Sequence, residues 1–255
     1  MQITNLYKFP IKGFTPQQTQ HIDFDCLGNV KGDRVFGFLL DKSSLNETNW
    51  LSKRSFLTLQ NNPMIARFKS NFDESKSRLY LSLDSDISST ADIRKISDRT
   101  YLSHWLRKQL SEIDPSTNLS PLTLIGDGRT YRFQDREKSS ISIISTSSLK
   151  AFEEIAGVKI DERRFRMNVT VDGFDPWQEL NLIGSTIRIN NIEFNIVGPV
   201  VRCLATHVNP DTGERDCEVM SILTKNFSQE RPVMGVLAVP SQGGTVSIGD
   251  QIEIT

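Results

Sequence analysis

The sequence predicts a mainly β fold of barrel type with a few helices. Three observations predict it: short alternating segments recur along the whole chain, turn residues punctuate them, and only three stretches carry apolar residues at helical spacing.

Gln2 to Phe9 alternates apolar and polar residues and reads as the first strand. Val35 to Leu40 is a short apolar run after Gly28, Gly32 and Asp33. Ile65 to Phe68 and Leu79 to Leu83 read as two further strands joined by a polar connection around Asn71 to Lys76. Asp84 to Asp98, rich in Ser and Asp, reads as a loop. Arg99 to Leu110 places Leu102, Trp105, Leu106 and Leu110 on one helical face. Pro115, Pro121 and the polar residues between them mark a boundary, giving parts of 1–115 and 116–255. Ser147 to Ala156 is helical by Leu149, Phe152 and Ile155, with Gly157 at the C-cap position; Val219 to Phe227 is a weaker helix. Val169 to Val171 reads as a strand. Thr186 to Ile189 and Ile192 to Val197 flank Asn190-Asn191, a dipeptide that tolerates a tight hairpin turn. Gly244 to Thr255 alternates around Gly249-Asp250.

Hydrophobic residues make up 37% and charged residues 24% of the 255, the balance of an ordinary globular protein. Thirty basic against 31 acidic residues give a net charge of −1, which provides no broad footprint for nucleic acid or an anionic membrane. Met1 to Phe9 lacks the apolar run of a signal peptide, and no window approaches the roughly 18 apolar residues of a membrane helix. A cytoplasmic location without a membrane span is expected. Cys26, Cys203 and Cys217 fit a reducing compartment. Without a CxxC pair or a close Cys/His cluster, neither a structural zinc site nor an iron–sulfur cluster is expected.

Cys203 stands out chemically. It follows an apolar run and Arg202, and precedes Leu204 to Val208 and the turn Asn209 to Gly213. A thiol at a strand end beside a cation can have its thiolate favoured; the plain alternative is a buried structural thiol. Arg164 and Arg166, two apart on an extended chain, point to one face and suit an anion or a carbonyl-lined heterocycle. Otherwise they are surface arginines neutralised by Asp161, Glu162 or Asp172. Lys12-Gly13, Asp33-Arg34 and Ser52 to Ser55 gather cations at strand ends, a weak anion signal; Gly13 lets a phosphate approach backbone N–H groups. No P-loop or GxGxxG is present. His21, His104 and His207 share no ligand spacing. His207 lies four residues from Cys203 on a predicted strand, a poor arrangement for a nucleophile pair.

Arg202-Cys203 with Thr206, Val208 and Asn209-Pro210-Asp211-Thr212-Gly213 resembles the signature of the MOSC domain, shared by molybdenum cofactor sulfurases and amidoxime-reducing proteins. Arg164 to Asn168 resembles its R-F-R-x-N segment and Trp177 to Gly184 its W-x-x-L-x-I-G segment. Tyr7 to Gly13 and Asp33-Arg34 resemble the β-barrel domain that precedes MOSC. The resemblance covers nearly the whole chain. It implies a β-barrel MOSC domain after an N-terminal barrel-like domain, and a molybdenum cofactor (Mo-molybdopterin) whose metal takes one protein ligand, Cys203; soft sulfur suits such a centre. It further implies that Lys12, Gly13 and Arg34, helped by Arg54, hold the terminal phosphate. Arg166, Asn168 and the helix start at Ser147-Ser148 would hold the pterin, with Arg164, Arg202 and Thr206 among the cofactor contacts. Two departures stand out. Only Phe174-Asp175-Pro176 separates Gly173 from Trp177, leaving Asp175 as the acidic candidate for proton delivery, and Gly13 replaces the serine after the family's lysine.

The function so implied is reduction of small N-hydroxylated compounds, amidoximes or hydroxylamino bases. Electrons would come from a separate donor, a b-type cytochrome, flavoprotein reductase or ferredoxin. Pyridoxal phosphate is not expected. The alternatives are a cofactor carrier or sulfur-transfer protein, and a barrel binding protein in which Cys203 only packs.

Overall fold

The computed structural model describes residues 1–40, 51–84, 87–117, 119–129, 133–135 and 140–255. In chain order the strands and helices are β1 (Gln2–Lys8), β2 (Gln17–Gln18), β3 (His21–Phe24), β4 (Gly37–Leu39), β5 (Phe68–Asp73), β6 (Arg78–Leu83) and β7 (Ile87–Asp92). Next come α1 (Ile96–Ile113), β8 (Thr123–Ile125), β9 (Ile141–Ser145), α2 (Thr146–Ala156), β10 (Val169–Asp172) and α3 (Gln178–Asn181). Then follow β11 (Thr186–Ile189), β12 (Ile192–Val201), α4 (Val219–Asn226), β13 (Val233–Pro240), β14 (Gly244–Ser247) and β15 (Ile252–Ile254). The fold is mainly β. None of the described helices is long and apolar enough to cross a membrane.

The largest sheet runs β15-β11-β12-β13-β9-β10-β1-β2. Its two ends meet. Ile3 donates to the Asp250 carbonyl at 3.0 Å, Gly249 to Ile3 at 2.9 Å and Ile252 to Met1 at 2.8 Å, so β1 closes on the segment leading into β15. Closure satisfies edge groups that would otherwise stand open, and the result is a barrel. Its interior is apolar: Ile3, Ile143, Val171, Ile187, Phe194, Ile196 and Val236 are each 2% exposed or less. β12 shows why the sequence folds this way, because its buried and exposed residues alternate from Ile192 to Gly198 and one face turns inward. Burying each large apolar side chain contributes roughly 2 kcal/mol. Outside the barrel wall, α2 and α4 cover Ile144, Phe165 and Met234 with Phe152 and Leu223.

The N-terminal part adds an antiparallel sheet, β5-β6-β7, and the pair β4-β8, both packed with α1 around Phe36, Phe68, Leu79, Leu102 and Leu106. Residue 115 does not separate the sheets. β1 pairs with β10, β3 with β14 and β4 with β8, so strands from both sides of that position share every sheet except β5-β6-β7.

Several local expectations are corrected. Residues 63–67 form a 3-10 turn rather than a strand. Asn62 caps it by accepting from the Met64 N–H at 3.1 Å, and Pro63 fits its first position. The predicted Asp84 to Asp98 loop contains β7, apart from residues 85 and 86, which lie outside the described residues. Its inward residues are Ser89 and Ala91, too small to register as an apolar alternation. α1 begins three residues earlier than its apolar spacing indicates, with Asp98 complementing its N-terminal dipole. Gly244 to Thr255 splits at Gly249 (φ 94°) into two strands of different sheets. The Asn190 turn is left-handed (φ 55°) as the hairpin requires, and Gly157 caps α2 at φ 68°.

Candidate functional site

A cavity of about 360 Å³ lies where the turn after β1, the segment before β4, the Arg166 corner and the end of β12 converge. Its wall includes Lys12, Gly13, Arg34, Arg166, Asn168, Arg202, Cys203 and Thr206. These residues are scattered over nearly 200 positions, and the barrel brings them together. The volume suits a small organic ligand.

Local geometry explains each placement. Lys12 follows the strand end where its N–H donates to the Phe36 carbonyl at 2.8 Å. Its side chain is 6% exposed, with Nζ donating to the Phe133 carbonyl at 2.7 Å and to Asp135 Oδ1 at 2.5 Å. Burial lowers the Lys12 pKa and Asp135 partly offsets that. Arg34 sits in a left-handed conformation (φ 52°), its N–H donating to the Phe9 carbonyl at 2.6 Å. Its guanidinium reaches the buried Asp33 and lies 4.6 Å from the centre of the Phe9 ring.

The Arg164 to Asn168 stretch departs from its expected extended form. Residues 162–165 make a 3-10 turn capped by Asp161, which accepts from the Arg163 N–H at 2.8 Å, and Arg166 then turns left-handed at φ 55°. The two arginines therefore diverge. Arg164 is buried against the His207 carbonyl (2.8 Å) and Asp216 (2.7 Å), outside the cavity. Arg166 enters it, donating to the Phe14 carbonyl and lying 4.5 Å from the same Phe9 ring. The Asp161-Glu162 start of that turn was the available signal.

Burial, then the neighbouring Arg34, push the Arg166 guanidinium down to about 9; burial pushes Arg202 down to about 10. A guanidinium keeps its proton under these conditions, so both directions register a crowded, poorly solvated set of cations in need of negative charge. Neither arginine has an ion-pair partner within 4 Å among the described residues, and Arg202 Nε is buried without a hydrogen-bond acceptor. Arg202 donates to the Phe165 carbonyl at 3.0 Å instead.

Cys203 ends the β12 segment as a free, half-buried thiol, and its carbonyl accepts from the Thr206 hydroxyl at 2.8 Å. Among the described residues no three His, Cys, Asp or Glu side chains gather as a metal site. A metal held here would bring most of its ligands with it, and a lone soft thiolate suits that chemistry.

Asn168 lines the cavity with its hydrogen bonds already used. Its carbonyl oxygen accepts from Ser142 N (3.2 Å) and Ser142 Oγ (3.0 Å), and its amide donates to the Tyr7 carbonyl (3.1 Å) and Asp33 (3.3 Å). Gly13 has φ 88°, and an added Cβ would stand 2.9 Å from the Leu57 carbonyl and Thr58 Cα. Glycine is thus demanded by the protein's own backbone, beyond any ligand. Gly13→Ala should cost about 2 kcal/mol in a denaturant titration.

Arg54, Ser147, Ser148 and Asp175 stand apart from the cavity wall. In the Lys53–Ser55 turn it is Lys53 that lines it. The start of α2 is engaged internally: Ser148 Oγ donates to the buried Glu179 at 2.8 Å and accepts from Trp177 N at 2.7 Å, while Ser147 lies 3.0 Å from Ser145 Oγ. Asp175 is solvent-exposed on the loop before α3. Sequence reasoning assigned no role to Asp135 or Ser142, whose surroundings carry no motif; both line the cavity.

Residues 1–114 match the family model for the MOSC N-terminal beta barrel domain, and residues 130–253 match that for the MOSC domain. Among curated proteins, the molybdenum cofactor sulfurase of Caenorhabditis briggsae is 25% identical over 92% of this chain and 33% of its own length. That of Drosophila mojavensis is 27% identical over 47% of this chain and 14% of its own. The chain thus spans a third or less of the length of these relatives. Of solved structures, the YuaD protein from Bacillus subtilis aligns with a TM-score of 0.44 at 16% identity, covering 99% of this chain and 94% of that one. YiiM from Geobacillus stearothermophilus aligns with a TM-score of 0.33 at 16% identity, covering 45% and 53%.

Proposed function

Since the chain belongs to the MOSC family, matching its N-terminal barrel and its MOSC domain in succession, we propose that the cavity holds a molybdenum cofactor and that the protein reduces N-hydroxylated compounds. The observation that carries this reading is the single half-buried thiol of Cys203 in a cavity whose other charged groups are mostly cations. Those residues fit the group. Lys12, Arg34 and Arg166 match a terminal phosphate, Cys203 supplies one soft ligand, and the unsatisfied Arg202 Nε offers a donor beside it. When bound, the cofactor would supply a metal that changes oxidation state and accepts an oxygen atom.

The chain's own residues then have distinct tasks. Arg34 and Arg166, both against Phe9, present two guanidinium forks whose spacing is fixed before a ligand arrives, which reduces the entropy lost on binding. Arg202 adds a further cation to the wall next to Cys203. Asn168, Ser142 and Asp33 hold the wall in shape through their bonds to one another. Asp175, exposed and off the wall, would need a path through water to deliver a proton. Electrons would come from a separate donor, a b-type cytochrome, flavoprotein reductase or ferredoxin, in the cytoplasm.

The test is turnover by protein loaded with molybdenum cofactor, with a reduced viologen dye as donor and benzamidoxime as substrate. Steady benzamidine formation is expected, and none without the dye. Molybdenum-loaded protein that forms no benzamidine with the dye would instead indicate a carrier or sulfur-transfer role, which the kinship with molybdenum cofactor sulfurases favours as second reading.

A further inference from the structure

Two carboxylates stand among the cavity's cations, and they are held differently. Asp33 is 1% exposed and accepts from the Phe9 N–H at 2.8 Å, from Asn168 at 3.3 Å and from Arg34. It is part of the wall. Asp135 has a side chain 68% exposed, and its single hydrogen-bond partner among the described residues is Lys12 Nζ at 2.5 Å. Lys12 has no comparable freedom. Its ammonium is buried, tied to the Phe133 carbonyl and 5.6 Å from the centre of the Phe56 ring.

We infer that Asp135 is a displaceable stand-in for the ligand's phosphate: its carboxylate occupies Lys12 until a phosphate monoester enters and takes its place. The inference rests on the reading of this cavity as an anion site. Desolvating an ammonium without a counter-charge is costly, so in the free chain Lys12 is stabilised by the nearest carboxylate. A phosphate monoester carries nearly two charges at neutral pH and three free oxygens. It can engage Lys12 together with Arg34 and Arg166, which one carboxylate cannot do. Asp135 loses one hydrogen bond on leaving and turns to water, where its charge is well solvated. Its presence lowers the apparent affinity of the site, because each binding event must first break the Lys12 pair.

The test uses the full chain from a host that makes no molybdenum cofactor, titrated calorimetrically with methyl phosphate. Asp135→Asn should bind methyl phosphate on the order of fivefold more tightly than wild type. In a Lys12→Met background the same substitution should change the affinity less than twofold, because the effect runs through Lys12. Unchanged or weaker binding by Asp135→Asn overturns the inference. So does equal tightening in the Lys12→Met background, which marks a general field effect, and so does the absence of binding in every variant. Molybdenum content of wild type and Asp135→Asn from a cofactor-making host separates this from the functional reading. Molybdenum present with unaltered phosphate affinity sinks this inference alone. Tightened phosphate binding without molybdenum in either preparation sinks the cofactor alone.

Discussion

Cys203→Ala is expected to fold normally and to lose its molybdenum. The Cys203 side chain lies outside the apolar clusters, and its thiol is half-buried at the cavity wall. Removing it leaves no buried partner unsatisfied, so the stability cost should stay under about 1 kcal/mol. The cofactor, by contrast, would lose its one soft protein ligand. Phosphate contacts to Lys12, Arg34 and Arg166 could retain some of the organic part, but the metal's coordination would change. Mass spectrometry of wild type and variant from a cofactor-making host measures this directly. Near-stoichiometric molybdenum in the wild type and little in the variant is the expected pair. Equal molybdenum in both would remove Cys203 from the metal's coordination, and none in a well-folded wild type would remove the metal altogether.

Asn168→Ala is expected to be the most destabilising substitution at the cavity, at about 3 kcal/mol. Asn168 is 1% exposed and connects three parts of the chain: the Tyr7 carbonyl on β1, Ser142 on β9 and Asp33 before β4. Alanine would take this partner from the buried Tyr7 carbonyl and the Ser142 N–H, while Asp33 would keep the Phe9 N–H and Arg34. Urea denaturation of the two proteins decides it, through a lower midpoint with an unchanged slope. A loss below about 1 kcal/mol would mean that the wall re-forms around the gap. Asn168 therefore has a structural role that its position in an R-F-R-x-N segment does not reveal.

The same contrast runs through the whole site. Lys12, Arg34, Arg166, Arg202 and Cys203 were each visible in the sequence as charged or soft groups at strand ends, where a barrel exposes side chains to a ligand. Arg54 and Lys53 are neighbours in one turn, and no pattern in Ser52 to Ser55 tells which of them faces the cavity. Ser147-Ser148 looked like an open helix start because its occupant, Glu179, arrives from 31 residues further along. On an extended backbone Arg164 would be a twin of Arg166, whereas a capped turn and a left-handed residue send the two side chains apart.

What the sequence by itself determined is the mainly β class, about half of the strands, the three longer helices and the single thiol among cations. These rest on local periodicity, capping chemistry and residue type, which act within a few residues. Only the tertiary structure decided the barrel's closure through Ile3 and Asp250, the small-residue strand β7, and which polar groups face the cavity rather than one another. The physical reason is that hydrogen-bond partners of buried groups are set by long-range packing. Asp33 and Asn168 lie 135 residues apart, and Lys12 and Asp135 lie 123 apart, so nothing near either residue in the chain foretells its partner.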